Sequence, residues 1–275
     1  MSLYEAVILG AGPAGLTAAT YLARFRRRVV VLGAGPPRAS WIPESHNTPG
    51  FPHGVGGPEL LKRLTDQATQ FGVEIREARA NTLARDEEVF EVSTSSGSLH
   101  GRSVLLATGV IDRLPSLEGL ESAVRRSLVR MCPICDAYEA IGQRIAVLGV
   151  GGLAEREAAF LRTYSDDVTV IDELSGEFRF SGNTVSWSAP DGTVSTFDHL
   201  YLALGCEPQS ALAIGCGAQR DDEGNLIVDA HQMTSVPGLY AAGDVVRGLN
   251  QIAVAAGEAA IAATAIHKRL RADAS

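Results

Sequence analysis

The chain carries one local pattern twice: an apolar strand, a glycine-rich turn, then a helix. The first copy is "AVILGAGPAGLTAATYLARF", with a helix expected from about Pro13 to Phe25, and the second is "RIAVLGVGGLAEREAAFLRTYS". In the first copy Gly10, Gly12 and Gly15 keep the G-x-G-x-x-G spacing between strand and helix. Gly10 permits the tight turn, Gly12 lets the backbone approach a pyrophosphate, and Gly15 packs helix against strand. Pro13 and Ala14 then open a helix whose unsatisfied N–H groups meet the phosphates. This context points to dinucleotide binding, and two such units predict two related α/β lobes. The acidic residue that usually binds the ribose is missing, because the second strand ends in Leu32-Gly33. Ribose recognition then falls to the following loop or to backbone groups.

Residues 36–57 are rich in Pro, Gly, His and Asn and predict a long loop; "PELLKRLTDQATQFG" predicts a helix and "EVFEVSTSSGSLHGRSVLLATG" two or three strands. A hairpin is expected around Asp191-Gly192, a strand at "GLYAAGDV" and an alanine-rich helix at "NQIAVAAGEAAIAATAIHKRL". Residues 172–183 leave only a loop's worth of chain where a complete dinucleotide lobe would fit another helix and strand. Net charge is −8, which argues against nucleic acid or an anionic membrane as partner. No apolar run approaches the ~18 residues of a membrane span. Tyr4 already opens a strand-like segment in place of a leader, so the expected compartment is cytoplasmic.

Cys132 and Cys135 form a C-x-x-C pair with Asp136 directly after it, in a chain with only four cysteines. Such a pair can ligate zinc, form a redox disulfide or arise by accident, and a reducing compartment leans towards redox or metal. Ala107, Thr108 and Gly109 follow one strand; Gly243 and Asp244 follow another, where an aspartate can accept hydrogen bonds from a ribityl chain. Taken singly, each is also the sequence of an ordinary strand end or capped helix. The histidines read as polar loop or surface residues and receive no chemistry. The arginines at 24 and 26–28 read as a solvated helix end.

In order, GAGPAG, "HNTPGFP", ATG, CPICD, GLYAAGDV and "NQIAVAAGEAA" resemble the FAD-dependent disulfide reductases of the low-molecular-weight thioredoxin reductase type. The resemblance implies an α/β protein with two Rossmann-like, three-layer ββα lobes. A discontinuous FAD domain (1–115 and 206–275) would hold an inserted, smaller CxxC-bearing domain (116–205). It places Asn47 near the flavin, Asp244 on the ribityl or pyrophosphate, and Gln251, Ile252 and Ala253 at the pyrimidine end of the ring. It implies a homodimer and a thioredoxin-like protein or small dithiol as partner. It also reads Cys132 and Cys135 as a redox disulfide, with Asp136 exchanging a proton with a thiolate if burial raises its pKa. Zinc fits poorly, because Cys206 and Cys216 have no histidines beside them to complete a site. Pro133 and Ile134 should keep the turn stiff and dry, and Cys206 and Cys216 read as small core residues.

The second lobe departs from the family. Gly149, Gly151 and Ala154 keep the glycine outline, but "VIDELSGEF" offers Asp172, Glu173 and Glu177 where arginines would meet a 2′-phosphate. The expected activity is therefore an FAD-dependent dithiol–disulfide exchange without NADPH, with a ferredoxin-type donor. The alternatives are an oxygen-dependent small-molecule dithiol oxidase, an NAD(P)H-dependent thioredoxin reductase and a non-catalytic flavin sensor.

Overall fold

A computed structural model describes residues 3–171 and 176–273. In chain order the elements are β1 (Leu3–Leu9), α1 (Pro13–Arg24), β2 (Val29–Gly33), α2 (Gly57–Gln70), β3 (Glu74–Glu77), β4 (Ala80–Asp86), β5 (Val89–Thr94), β6 (Gly97–Leu106) and β7 (Val110–Asp112). Next come α3 (Leu120–Arg125), β8 (Val129–Arg130), α4 (Pro133–Asp136), β9 (Ile145–Gly149), α5 (Gly152–Leu161) and β10 (Val168–Ile171). They are followed by β11 (Glu177–Ser181), β12 (Thr184–Ser188), β13 (Val194–Phe197), β14 (His199–Ala203) and β15 (Cys206–Pro208). The chain closes with α6 (Ala211–Gly215), β16 (Leu239–Ala241) and α7 (Ile252–Ala272). Packing divides it into two compact units: Met1–Ser40, Pro58–Ile111 and Glu207–Ser275 form the first, Trp41–Gly57 and Asp112–Cys206 the second.

The first unit is built on parallel strands in the order β3-β2-β1-β6, with β16 paired to the end of β6. The runs 6–9, 29–32 and 104–106 of its central strands are wholly apolar because both faces are covered there. The period of two sends Ala6, Ile8, Val29, Val31 and Leu105 to one core, and Val7, Leu9, Val30, Leu32, Val104 and Leu106 to the other. Alanines on α1 and α7 (Ala18, Ala259, Ala262) allow close helix packing over the first core. The antiparallel strands β4 and β5 supply Leu83, Phe90 and Val92 to the second. Helices, parallel sheet and meander make three layers, as expected.

The second unit repeats the plan in a smaller form. Its four parallel strands run β10-β9-β14-β8. Ile145, Val147, Tyr201 and Ala203 face α5, while Ala146, Leu148, Leu200 and Leu202 face α3 and the antiparallel β11-β12-β13. The hairpin at Asp191 forms as expected: Gly192 has φ +86° and Asp191 Oδ1 accepts the Thr193 N–H at 2.8 Å.

Three features differ from the sequence reading. The stretch expected to be only a loop holds the strand β11, because Phe178 is buried opposite Trp187 in the register of β12. Among the described residues no helix and strand follow β10 as α2 and β3 follow β2. Residues 41–57, assigned above to the FAD domain, pack with the second unit. The Ser45–Val55 bridge closes that loop on itself, and Trp41 packs on the core of α3, β9 and β14.

Candidate functional site

In the first unit the register brings three motifs to one edge. Leu9 pairs with Leu106, and Leu106 with Ala241. Consequently the turns after β1, β6 and β16 leave the sheet side by side at its carboxyl end, where ligands bind in this architecture. The ladder continues past the strands, with Ala107 N–H donating to Leu9 O at 2.8 Å and Ala242 N–H to Leu106 O at 3.0 Å. Gly10, Gly12, Pro13, Ala14 and Gly15, then Ala107, Thr108 and Gly109, then Gly243 and Asp244 are thereby brought together.

The glycines of these turns differ in whether the fold itself requires them. A Cβ on Gly10 would lie 2.1 Å from Ala107 O, and one on Gly15 1.9 Å from Gly10 O, so the fold itself demands both. Gly12 is different. Its φ is an ordinary −86° and a Cβ there would meet nothing closer than Pro37 at 3.7 Å. Neither packing nor conformation requires a glycine at this position, whereas a pyrophosphate over the α1 N-terminus does. No side chain caps α1, or α7 behind Gln251, Ile252 and Ala253. These residues fit the pyrophosphate and ribityl portion of FAD.

Two further groups at this edge escaped the sequence reading. Arg38 Nη1 lies 3.7 Å from Asp244 Oδ2, placing a cation from the loop after β2 beside the aspartate. Glu258, buried in α7, accepts the Gly243 N–H at 2.9 Å and pairs with Arg247 Nε. Thr108 Oγ1 donates to Gln209 O at 2.7 Å, a structural tie to the returning chain. Asn47 lies in the 41–57 segment of the second unit, where Ser45 Oγ donates to its Oδ1 at 3.1 Å.

In the second unit Cys132 and Cys135 are joined in a disulfide, with Cα atoms 5.3 Å apart. Cys132 precedes α4, and the Cys135 N–H donates to Cys132 O at 3.0 Å. Pro133 is buried, but Ile134 is 53% exposed. The turn is stiff, therefore, and not dry as expected, because Ile134 faces outwards between the two cysteines.

Asp136 ends α4 against a buried cation. Arg130 Nη1 lies 3.4 Å from Asp136 Oδ2 and donates to the Asp136 main-chain O at 2.9 Å. The Tyr201 hydroxyl donates to the same main-chain oxygen at 3.2 Å. Asp136 Oδ1 is buried with no hydrogen-bond partner among the described residues. Burial pushes the carboxyl pKa up to about 6, with Arg130 opposing the rise. A carboxyl poised there can give a proton to a thiolate near neutral pH. His199, left without a role by its sequence, donates from Nδ1 to Ser127 O at 3.1 Å and borders Arg130. Burial, then the Arg130 charge, drives its pKa down to about 4 and keeps it neutral.

The second glycine turn has structural reasons for its glycines. A Cβ on Gly149 would lie 2.5 Å from Ala203 O, and Gly151 has φ +69° with ψ −151°, a region open only to glycine. Glu177 is exposed and paired with Arg179 at 3.0 Å. Asp172 and Glu173 lie outside the described residues. Cys216 packs against the apolar core of the first unit. Among the described residues no helix is long and apolar enough to cross a membrane, and no cluster of His, Cys, Asp or Glu could hold a metal.

Residues 4–186 and 173–259 match the family model described as pyridine nucleotide-disulphide oxidoreductase. A thioredoxin reductase of Listeria monocytogenes is 28% identical over 295 positions, covering 94% of this chain and 92% of that protein. The bifunctional thioredoxin reductase/thioredoxin of Mycobacterium leprae is 30% identical, covering 95% of this chain and 65% of that one. The crystal structure of thioredoxin reductase from Streptococcus pyogenes superposes with a TM-score of 0.90 at 26% identity, covering 98% and 99% of the two chains. The Listeria alignment is longer than the 275 residues of this chain, so that protein carries segments absent here.

Proposed function

The chain belongs to the pyridine nucleotide-disulphide oxidoreductase family, and on that premise we propose that it is an FAD-dependent dithiol–disulfide oxidoreductase resembling thioredoxin reductase. Cys132 and Cys135 carry electrons to or from a thioredoxin-like protein or a small dithiol, and the electron donor is of the ferredoxin type rather than NADPH. The observation that carries the reading is the Cys132–Cys135 disulfide followed at once by a partly buried carboxyl whose Oδ1 has no partner among the described residues. The Mycobacterium leprae relative, whose name joins thioredoxin reductase to thioredoxin, supports the partner.

In the direction of substrate reduction, the thiolate of Cys132 attacks one sulfur of the substrate disulfide and forms a mixed disulfide. The substrate S–S bond breaks, and the departing thiolate takes a proton from Asp136. Cys135, as thiolate, then attacks the Cys132 sulfur, closes the Cys132–Cys135 bond and frees the second substrate sulfur, which takes its proton from solvent. Two electrons and two protons end on the substrate. FAD, when bound, supplies the two-electron store that re-reduces the pair.

The donor assignment rests on the second unit. Its β10 is the edge of the sheet, with nothing corresponding to β3 beyond it among the described residues, and its glycines are accounted for by packing and backbone conformation. The first cation among the described residues after β10, Arg179, is already paired with Glu177 at 3.0 Å, where a 2′-phosphate would need a cation of its own. A cytoplasmic setting suits a disulfide that opens and closes in turnover.

Anaerobic mixing with NADPH, NADH or reduced ferredoxin, followed by flavin absorbance, tests the donor. NADPH should bleach the flavin slowly or not at all; rapid bleaching at micromolar NADPH overturns that part. Cys132→Ser and Cys135→Ser should retain FAD and lose turnover, and full activity in either moves the chemistry elsewhere.

A further inference from the structure

Arg130 and Tyr201 are register partners on the neighbouring parallel strands β8 and β14. Their side chains therefore leave the sheet on one face, about 4.8 Å apart. That face carries the CPICD turn, since Tyr201 shares its core with Ala137 and Ala140. Both side chains end on a single atom, the main-chain oxygen of Asp136, which they approach at 2.9 and 3.2 Å. The helix α4 is only four residues long and makes few bonds of its own. Its last carbonyl is held by two side chains two and sixty-five positions from the nearer cysteine and from Asp136 respectively.

Arg130 has a second task. It is 9% exposed, and the Asp136 carboxylate is the anion beside it, at 3.4 Å. Its Nε donates to Ser127 O at 3.3 Å, which fixes the guanidinium from behind. The guanidinium thus meets the Asp136 carbonyl and carboxylate through Nη1 and the Ser127 carbonyl through Nε, a two-ended grip that a lysine cannot reproduce.

Resting on the function proposed above, we infer that Arg130 and Tyr201 are the positioning pair of the redox turn: together they fix its Asp136 end, and Arg130 supplies the positive charge against which the Asp136 carboxylate forms. Both act through Asp136, Arg130 on its charge and position, Tyr201 chiefly on its position.

The other groups around Asp136 sharpen the expected pH response. Glu139, in the turn after α4, adds negative charge that favours the protonated carboxyl, and Tyr201 opposes it by hydrogen bonding. From α5, Ala154, Ala158 and Leu161 line this core without charge, and Glu157 on the same face has its pKa raised to about 7 by burial, opposed by Arg156. His199 borders Arg130 and is neutral. Arg130 is thus the cation that holds the carboxyl down against burial. Without it, Asp136 keeps its proton to higher pH.

The test measures the rate at which dithiothreitol opens the Cys132–Cys135 disulfide in the FAD-loaded protein, from pH 4.5 to 8.5, by quenched alkylation. Variant rates are divided by wild-type rates at each pH so that the titration of the reagent cancels. Arg130→Met should move the Asp136 limb upwards by about one pH unit or more, a tenfold change in the protonation equilibrium. Arg130→Lys should keep the limb near its wild-type position and slow exchange by roughly fivefold, because one ammonium cannot hold Asp136 and the Ser127 carbonyl at once. Tyr201→Phe should slow exchange to a similar extent, with an upward shift of the limb smaller than that of Arg130→Met. Bound FAD, read by absorbance, should stay unchanged in all three. If Arg130→Met does not fold, Arg130→Lys and Tyr201→Phe decide alone: wild-type rates in both overturn the inference, as does an unshifted limb in a folded Arg130→Met. Steady-state turnover of a thioredoxin disulfide separates the two levels. Wild-type turnover in Cys132→Ser refutes the function itself, whereas its loss there beside an unshifted limb in Arg130→Met refutes only the positioning pair.

Discussion

The Gly243 N–H donates to Glu258 Oε2 at 2.9 Å, joining the turn after β16 to a buried carboxylate in the second turn of α7. Gly243 has φ +83°, and a Cβ there would lie 3.1 Å from Ala14, so the turn is shaped for close approach. Glu258 holds it in that shape while Arg247 balances the charge. Glu258→Ala leaves a buried N–H unpaired, at a cost of about 1.5 kcal/mol, roughly tenfold in affinity. We expect FAD to leave that variant about tenfold faster, and Glu258→Gln to fall between, as read from returning flavin fluorescence. Unchanged release in Glu258→Ala contradicts this role.

Gly12 and Gly15 should fail in different ways. Gly15→Ala forces a Cβ to within 1.9 Å of Gly10 O, so the backbone must shift and the apo-protein should lose about 1–3 kcal/mol of stability. The Cβ of Gly12→Val meets only Pro37, at an ordinary contact distance of 3.7 Å. Its apo-protein should melt near wild type and yet bind no FAD. Thermal melts with and without added FAD distinguish the two, and a Gly12→Val protein that holds FAD at wild-type affinity rules out the pyrophosphate cradle.

Glu157 predicts a pH-dependent gain in stability. Burial pushes its pKa up to about 7, and its Oε2 has no partner among the described residues. The folded state thus holds the proton more tightly than the unfolded chain. Stability contributed by this group is present below the unfolded pKa and lost as pH rises towards 7. Glu157→Gln removes that loss, so the variant should exceed wild type at pH 8 by roughly 1 kcal/mol, discounted for partial solvent screening, with a smaller difference at pH 4.5. Denaturant unfolding at the two pH values measures it, and an equal difference at both refutes the assignment.

What the sequence made legible was local. Strand–glycine–helix order identified the α/β lobes, and the turns after β1, β6 and β16 were each readable because every functional residue in them lies within a few positions of a strand end. The order of the three turns carried the family resemblance, and it is the Leu9–Leu106–Ala241 register that sets them side by side. The strands β3 and β4 were missed because "EIRE" and "ANTLARD" carry few apolar residues to mark them. Arg130 stood two residues before Cys132 without signalling anything, since its partner Tyr201 comes from a strand distant in sequence. Glu258 and Arg38 were hidden for the same reason. Long-range register, and not composition, gives these side chains their work.

The central claim is that the Cys132–Cys135 disulfide and the bound flavin form one redox system, and anaerobic dithionite titration of the FAD-loaded protein tests it most directly. If they exchange electrons, the wild-type flavin bleaches fully only after about four electron equivalents per chain, two for FAD and two for the disulfide, whereas Cys132→Ser and Cys135→Ser bleach after about two. Complete bleaching of the wild type at about two equivalents, indistinguishable from the cysteine variants, would contradict the account.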